Sequence, residues 1–475
     1  MLGTHVDDLI WACEPEAEPI MDELLADFQC GRVEEGKFRY CGKDIEQDND
    51  FNISVTCRDS TLKIQKAKIE SGRQPSDPLN DEEKTSMKSI AGSLAWISRQ
   101  CRPDLAYRVS RIQSASSNGC VADLKEANKH IDYAVSTADR GLKFRSGILS
   151  WDMENDPMIS CIITDASHAN ESEDLIVNGK TSKEGHRSQG GKMICLGTNS
   201  LADGDEGGIH IISFSSTIVR RVCRSTMQAE AYSLQSGVEE GDRMRAAICD
   251  MFGKLDRKHW ERTASMFMRQ VWFSDCRSVV DSLLNAGPTK PADKRLSIEL
   301  ASMRQSLWRT PGEAEGDPFI QDEKPKETTD NIRWVDTDVM LADPLTKIMD
   351  PSKMIQALES NYWNLEQPIN SVIIKKAKQL QRRKGRSEEI PQEYLNLNMG
   401  RQDINGMIVI TTRNTNKMQI LDDEDDHLYR TTWISKSDRW QKTEDSVLWK
   451  ELRNPQEEIY PVERMVSIFS KDKMN

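Results

Sequence analysis

The sequence contains no apolar run approaching the roughly 18 residues that span a bilayer, so no membrane-crossing helix is expected and no membrane partner. It lacks the basic-then-apolar opening of a secretory leader; an intracellular place, in cytoplasm or nucleus and not secreted, is expected. Its 11 cysteines include no Cys-X-X-Cys pair and no Cys/His cluster. Reduced and mostly buried thiols are expected, with neither zinc nor disulfides. Positive charge is in deficit: 64 Lys and Arg against 77 Asp and Glu give a formal charge of −13. That balance excludes a protein that coats nucleic acid by bulk electrostatics. A polyanion would have to be held by local basic clusters, or through metal ions that offset acidic groups.

What is present points to several domains. A chain of 475 residues exceeds one ordinary core, and two to four domains are expected. Hydrophobic residues at 37% and charged residues at 30% describe a globular but polar chain, least core-like in its C-terminal third. Residues 157–167 read as a buried strand, rich in β-branched side chains, that ends on Asp165. A polar insertion over 171–189 leads to strands at 190–197 and 209–215, joined by a turn at 203–208, which makes an antiparallel meander. Residues 224–234 switch to helical periodicity, with Ser225 or Thr226 as N-cap and Glu230 about one turn inside. A strand at 271–275 ends on Asp275, a short helix covers 278–284, and a strand at 332–335 leads to Asp343. Taken singly, an Asp at a strand end is a turn residue and a Glu early in a helix meets the dipole. Four carboxylates delivered by four elements, Asp165, Glu230, Asp275 and Asp343, point to a metal site of hard oxygen ligands.

Upstream, residues 1–12 read as a hairpin: apolar strand, Asp7 and Asp8 adjacent, apolar strand. Strands are expected at 38–45 and 51–56, a loop at 75–78, and helices from Asp81 through Ile97 and over 122–138. Arg102 and Arg108 read as solvated surface arginines, with nucleic-acid contact as the alternative.

The order of three strands, helix, strand, helix, strand, helix, with acids at those four places, is similar to ribonuclease H. The words Ser225-Thr226, Ala229-Glu230-Ala231-Tyr232, Ser274-Asp275 and Leu341-Ala342-Asp343-Pro344-Leu345-Thr346-Lys347 look like the ribonuclease H of copia-type LTR retrotransposons. Val6-Asp7-Asp8 resembles the reverse-transcriptase palm motif, with His5 where an aromatic is usual. Gly92-Ser93-Leu94-Ala95-Trp96-Ile97, Arg102-Pro103-Asp104-Leu105-Ala106 and residues 140–144 resemble the end of that family's polymerase. The resemblance, to a Pol polyprotein fragment, covers about residues 1–350. It implies an α/β fold: an RNase H-like mixed five-stranded sheet with flanking helices, after a truncated palm and connection region. The division it suggests is a palm remnant over 1–55, a helical thumb or connection region over 56–150, an RNase H-like domain over 151–350 and an extension over 351–475.

The activity it implies is two-metal hydrolysis of the RNA strand of RNA/DNA hybrids, leaving 5′-phosphate and 3′-hydroxyl ends. Two Mg²⁺ ions roughly 4 Å apart, with Mn²⁺ as a substitute, would activate water and stabilise the leaving oxygen. Asp165 would bridge both ions, Glu230 and Asp275 would complete one site, and Asp343 would help hold the other. Strand choice would rest on ribose 2′-hydroxyls. Polymerase activity is not expected, because the upstream palm and fingers are missing from the sequence unless a partner chain supplies them in trans; Asp7 and Asp8 would be vestigial.

The chain also departs from the pattern. Cellular enzymes carry a histidine shortly before the last aspartate, whereas none lies between His259 and His427. After Asp165 stand Ala166-Ser167-His168 where copia-type enzymes often show a second acid and an aromatic, and the 171–189 insertion is long for the family. The alternative is therefore a catalytically inactive remnant that acts as a nucleic-acid-binding or interaction module. Arg220, Arg221 and Arg224, then Lys294 and Arg295, and more weakly Arg187, are the candidates for phosphate contact. The basic run over 375–386 reads as a nucleic-acid or nuclear-import segment or a linker helix, and 422–426 as an acidic loop.

Overall fold

The computed structural model describes residues 2–27, 32–116, 118–171, 174–177, 180–183, 187–284, 293–309 and 328–365, with short pieces at 403–404, 407–408, 441–442, 449–450 and 465–470. It divides into two units, one of residues 1–365 with 460–475 and one of 366–459. Of the second unit, the described residues form two-residue strand pairs, 403–404 with 407–408 and 441–442 with 449–450. The basic run and the acidic loop lie outside the described residues.

In the larger unit, β1 (Leu2–His5) and β2 (Asp8–Ala12) pair as a hairpin in which His5 faces Asp8. A helix α1 (Glu18–Ala26) and strand β3 (Arg32–Glu35) follow. The strand Met465–Ser470 lies between β2 and β3. Next, β4 (Lys37–Tyr40), β5 (Lys43–Gln47) and β6 (Ile53–Thr56) form a meander. A short α2 (Arg58–Leu62) and three longer helices, α3 (Asp81–Cys101), α4 (Pro103–Ala115) and α5 (Val121–Ser136), come after it. Asn80 caps α3 by accepting from the Glu83 amide while the Glu83 carboxylate takes the Asn80 amide, a capping box that fixes the start. The chain then returns as β7 (Gly141–Phe144), which closes the meander against β6. Residue 55 lies inside β6, in a four-stranded sheet whose last strand, β7, comes from far along the chain.

The central sheet is mixed and has six strands where five were expected. They are β8 (Ile159–Glu171), β11 (Arg187–Gly197), β12 (Gly207–Val219), β13 (Gln270–Ser274), β14 (Asn331–Trp334) and β15 (Tyr362–Trp363); the small hairpin β9 (Asp174–Val177) and β10 (Lys180–Lys183) sits between β8 and β11 in sequence. Their order is β14-β13-β8-β11-β12-β15. The β8, β11 and β12 strands run antiparallel, while β13 and β14 continue the sheet in parallel to β8. The sixth strand adds to β12 through Gly207 and Gly208. It follows a helix whose Met354, Ala357 and Leu358 join the main core, so packing runs past the expected break at residue 350.

Period-two alternation sets the two faces of the sheet. Ile159, Cys161 and Ile163 point to a core shared with α3, α4 and α5, whereas Ile162 points to the other face. There it meets α7 (Thr226–Met251), which is preceded by the one-turn α6 (Ser200–Asp203), and next to α7 pack α9 (Arg277–Leu284) and α10 (Lys294–Leu307); α8 (Trp260–Phe267) lies between α7 and α9 in sequence. A side chain at Gly241 would place its Cβ 2.3 Å from Ile162 Cδ1, so the helix approaches the strand closely only because that position is bare. The remaining helix, α11 (Ser352–Ser360), is the one that carries Met354.

One local expectation changes. β8 does not end at Asp165 but runs to Glu171, because its ladder to β11 continues past the apolar residues. A register shift near Ser188, with Ala169 at φ 54°, marks a bulge beyond the aspartate.

Candidate metal centre

Three of the four acids expected to work together converge. Carboxylate oxygens of Asp165 in β8, Asp275 just after β13 and Asp343 at the start of a one-turn 3₁₀ helix, Asp343–Leu345, lie within 4.8 Å of one another. Adjacent parallel strands bring the first two together: Ile163 faces Phe273 in register, two residues before each aspartate. Asp343 arrives from the connection after β14, where the Leu345 amide donates to the Ala342 carbonyl and the Thr346 amide to the Asp343 carbonyl. Close approach of that turn depends on Gly191, the register partner of Asp165: a Cβ there would fall 2.6 Å from Leu345 Cβ and 2.9 Å from Thr346 Cγ2.

Hydroxyls fix two of these carboxylates. Thr346 Oγ1 donates to Asp165 Oδ2, and Thr337 Oγ1 donates to Asp275 Oδ2 at 2.8 Å. The indole of Trp334 holds the backbone below, donating to the Asp275 carbonyl at 2.9 Å. Asp343 Oδ1 faces the Lys347 ammonium at 2.9 Å, an ion pair outside hydrogen-bond alignment. Thr337, Thr346 and Lys347 were not singled out from the sequence. The last two lie in the word that carries Asp343, which was the available signal.

Glu230 stands beside this trio but outside the group of mutually close oxygens. Ser225 caps α7 by accepting from the Gln228 amide, which sets Glu230 on the first turns of the helix. Its carboxylate accepts from the Ala166 amide, while Oε2 is buried with no hydrogen-bond partner.

Crowding and burial shift the protons of three of these acids. Burial first, then the Asp343 charge, push Asp165 up to about 7, against the lowering bond from Thr346. Burial, then the charges of Asp165 and Asp275, hold Glu230 well above the carboxylate range. Asp275 is raised chiefly by burial, with Thr337 opposing. Such a cluster is costly as bare anions, and a bound cation would offset that cost. All its donors are carboxylate oxygens, the set suited to Mg²⁺, Mn²⁺ or Ca²⁺ and unsuited to soft metals.

The basic candidates gather at two helix starts. Arg220, Arg221 and Arg224 are exposed on the connection between β12 and α7, and Lys294 and Arg295 are exposed on the first turn of α10. Gln228 Nε2 donates to Asp293, the cap of α10, at 3.3 Å and so ties these two starts together. Arg221 is partly committed, pairing with Glu299 and lying over the Tyr232 ring at 5.2 Å. His168 shares a hydrogen bond of 3.0 Å with the Cys223 carbonyl. Arg102 is not on the surface: it is buried, with two bonds to Asp104 at 2.9 and 2.8 Å and further bonds to Thr137. A planar guanidinium facing a carboxylate in its own turn makes that burial possible. Arg108, half-buried, lies over the Tyr133 ring at 5.4 Å.

At the N-terminus, Asp7 sits exposed in the turn of the first hairpin beside Val6 at φ 54°, and Asp8 begins β2. Among the described residues neither joins a group of three metal-ligating side chains. Also among the described residues, no helix is long and apolar enough to cross a membrane.

No family model matches the chain, and no curated protein matches it. Among solved structures it is similar to the N-terminal RNase H domain of Rv2228c from Mycobacterium tuberculosis, determined as a fusion with maltose-binding protein. That likeness covers 43% of this chain and 98% of the other at 12% identity, with a TM-score of 0.23, too loose to carry an argument.

Proposed function

We propose that the chain is a divalent-cation-dependent ribonuclease H that cuts the RNA strand of RNA/DNA hybrids, and that it derives from a copia-type retrotransposon Pol polyprotein. The observation that carries the reading is the convergence of Asp165, Asp275 and Asp343, from three distant segments, to within 4.8 Å. The sheet supports it: a three-stranded antiparallel part continued by two parallel strands, with acids on β8, after β13 and on α7. The sequence words around Glu230, Asp275 and Asp343 support the copia-type origin.

Asp165, Asp275 and Asp343 would hold the cations, and Glu230, with its unpartnered buried oxygen, would complete the set. Bound there, Mg²⁺, or Mn²⁺ in its place, would supply an activated water and charge stabilisation at the leaving oxygen. The protein's own part is to keep these carboxylates aimed, through Thr346 and Thr337, and to exclude water from three of them. Arg220, Arg224, Lys294 and Arg295 would position backbone phosphates.

The test is incubation of the full chain in Mg²⁺ with an end-labelled RNA/DNA hybrid, single-stranded RNA and duplex DNA. The reading expects the RNA of the hybrid to be cut and the other two substrates to survive. Cutting of single-stranded RNA or duplex DNA at the same rate would contradict the assignment of substrate.

A further inference from the structure

Lys347 is the one basic side chain in ion-pair contact with the carboxylate cluster among the described residues. Its ammonium lies 2.9 Å from Asp343 Oδ1, and its side chain is 41% exposed. The same short turn supplies both its neighbours: Thr346, next in the chain, anchors Asp165.

We propose that Lys347 is a tethered counter-ion of the cluster, which neutralises it when no divalent cation is bound and competes with that cation for Asp343. This rests on the metal-site reading above and says how affinity at that site is set. A cation takes carboxylate oxygens at roughly 2.0–2.6 Å, so an ammonium still seated at 2.9 Å from the same oxygen would face it as a like charge. The four-carbon stem of lysine is flexible and its exposed part lets the head return to solvent. Entry of the cation and departure of the ammonium are then one exchange. Lys347 is a positioning residue in this account, since it acts through Asp343.

The experiment is Mn²⁺ titration of the full chain by calorimetry, comparing wild type, Lys347→Gln and Lys347→Arg. Removing the competitor is expected to tighten Mn²⁺ binding by about fivefold or more, the scale of a coupling between linked sites. Without divalent cation Lys347→Gln is expected to melt lower than wild type and to regain the difference when Mn²⁺ is added. Lys347→Arg, which keeps the charge, should bind Mn²⁺ closer to wild type than to Lys347→Gln. Equal or weaker binding by Lys347→Gln would overturn the proposal while leaving the metal site in place. Absence of any Mn²⁺ binding that Asp165→Asn removes would instead overturn the site itself. Should Lys347→Gln fail to fold, amine labelling of the wild type read by mass spectrometry decides the matter: Lys347 should label faster with Mn²⁺ than without, and an unchanged rate would overturn the exchange.

Discussion

The hydroxyl of Thr346 donates to the carboxylate of Asp165 from 181 residues further along the chain. The bond joins the middle of the central sheet to the turn that carries Asp343, so one side chain aligns two of the three acids. Thr346 is fully buried. Replacing it by valine keeps the shape and leaves Asp165 Oδ2 without its donor, which costs about 1–3 kcal/mol in stability. A loss of roughly 10–100-fold in cation affinity or activity should follow, the usual penalty for removing a bond that orients a ligand. Thr346→Ser, which restores the hydroxyl, should recover most of the binding in the same titration.

Gly191 tests the same contact from the strand. Gly191→Ala places a methyl group 2.6 Å from Leu345 Cβ, where backbone and turn must shift, and destabilisation of about 1–3 kcal/mol is expected. Gly190→Ala meets Ser233 Oγ at 3.2 Å and should cost less. Urea unfolding and hybrid cleavage of the pair would show both effects, with activity lost far more in the first.

Asp165 makes a prediction whose sign is opposite to that of most active-site changes. Its folded pKa, about 7, lies above the ordinary 3.8. The protonated form is therefore favoured by folding: this contribution is full below the unfolded value and is lost as pH rises through about 7. Asp165→Asn removes that loss. Without divalent cations the variant should be more stable than wild type at pH 8, on the order of a few kcal/mol, with the gap closing towards pH 4. His130 and His210, both pushed down to about 4 by burial, titrate in both proteins and cancel from the difference. Thermal melts at several pH values read it directly, and added Mn²⁺ should stabilise the wild type alone.

Arg102 belongs to the scaffold. It is buried beside Asp104, whose carboxylate also accepts from Tyr133 at 3.0 Å. Arg102→Met leaves the buried Asp104 carboxylate without its counter-ion and should destabilise by about 3–5 kcal/mol. Arg102→Met with Asp104→Leu should recover part of that loss in the same unfolding measurement.

These cases also show what was legible in the sequence. The alternation that buries Cys161 and Ile163 on one face and Ile162 on the other is written in adjacent residues, so the strand leading to Asp165 could be placed. The start of α7 was equally local, since Ser225 and Gln228 lie three apart. Distant pairings were not legible: Thr337 finds Asp275 across 62 residues, and nothing near either one marks the bond. The extent of β8 was missed because Ser167, His168 and Ala169 carry no apolar pattern, while backbone pairing with β11 does not need one. The pairing of β7 with β6 was hidden for a similar reason, since four helices intervene between the two strands. Arg102 read as exposed because composition weighs a charge without its partner.

The central claim is most directly tested by cleavage of a hybrid labelled separately on RNA and DNA, in Mg²⁺, by the wild type and by Asp165→Asn. The account predicts that the wild type cuts the RNA strand alone and that the variant, folded and at least as stable at pH 8, cuts neither. A wild type that binds the hybrid yet leaves it whole in both Mg²⁺ and Mn²⁺ would contradict it.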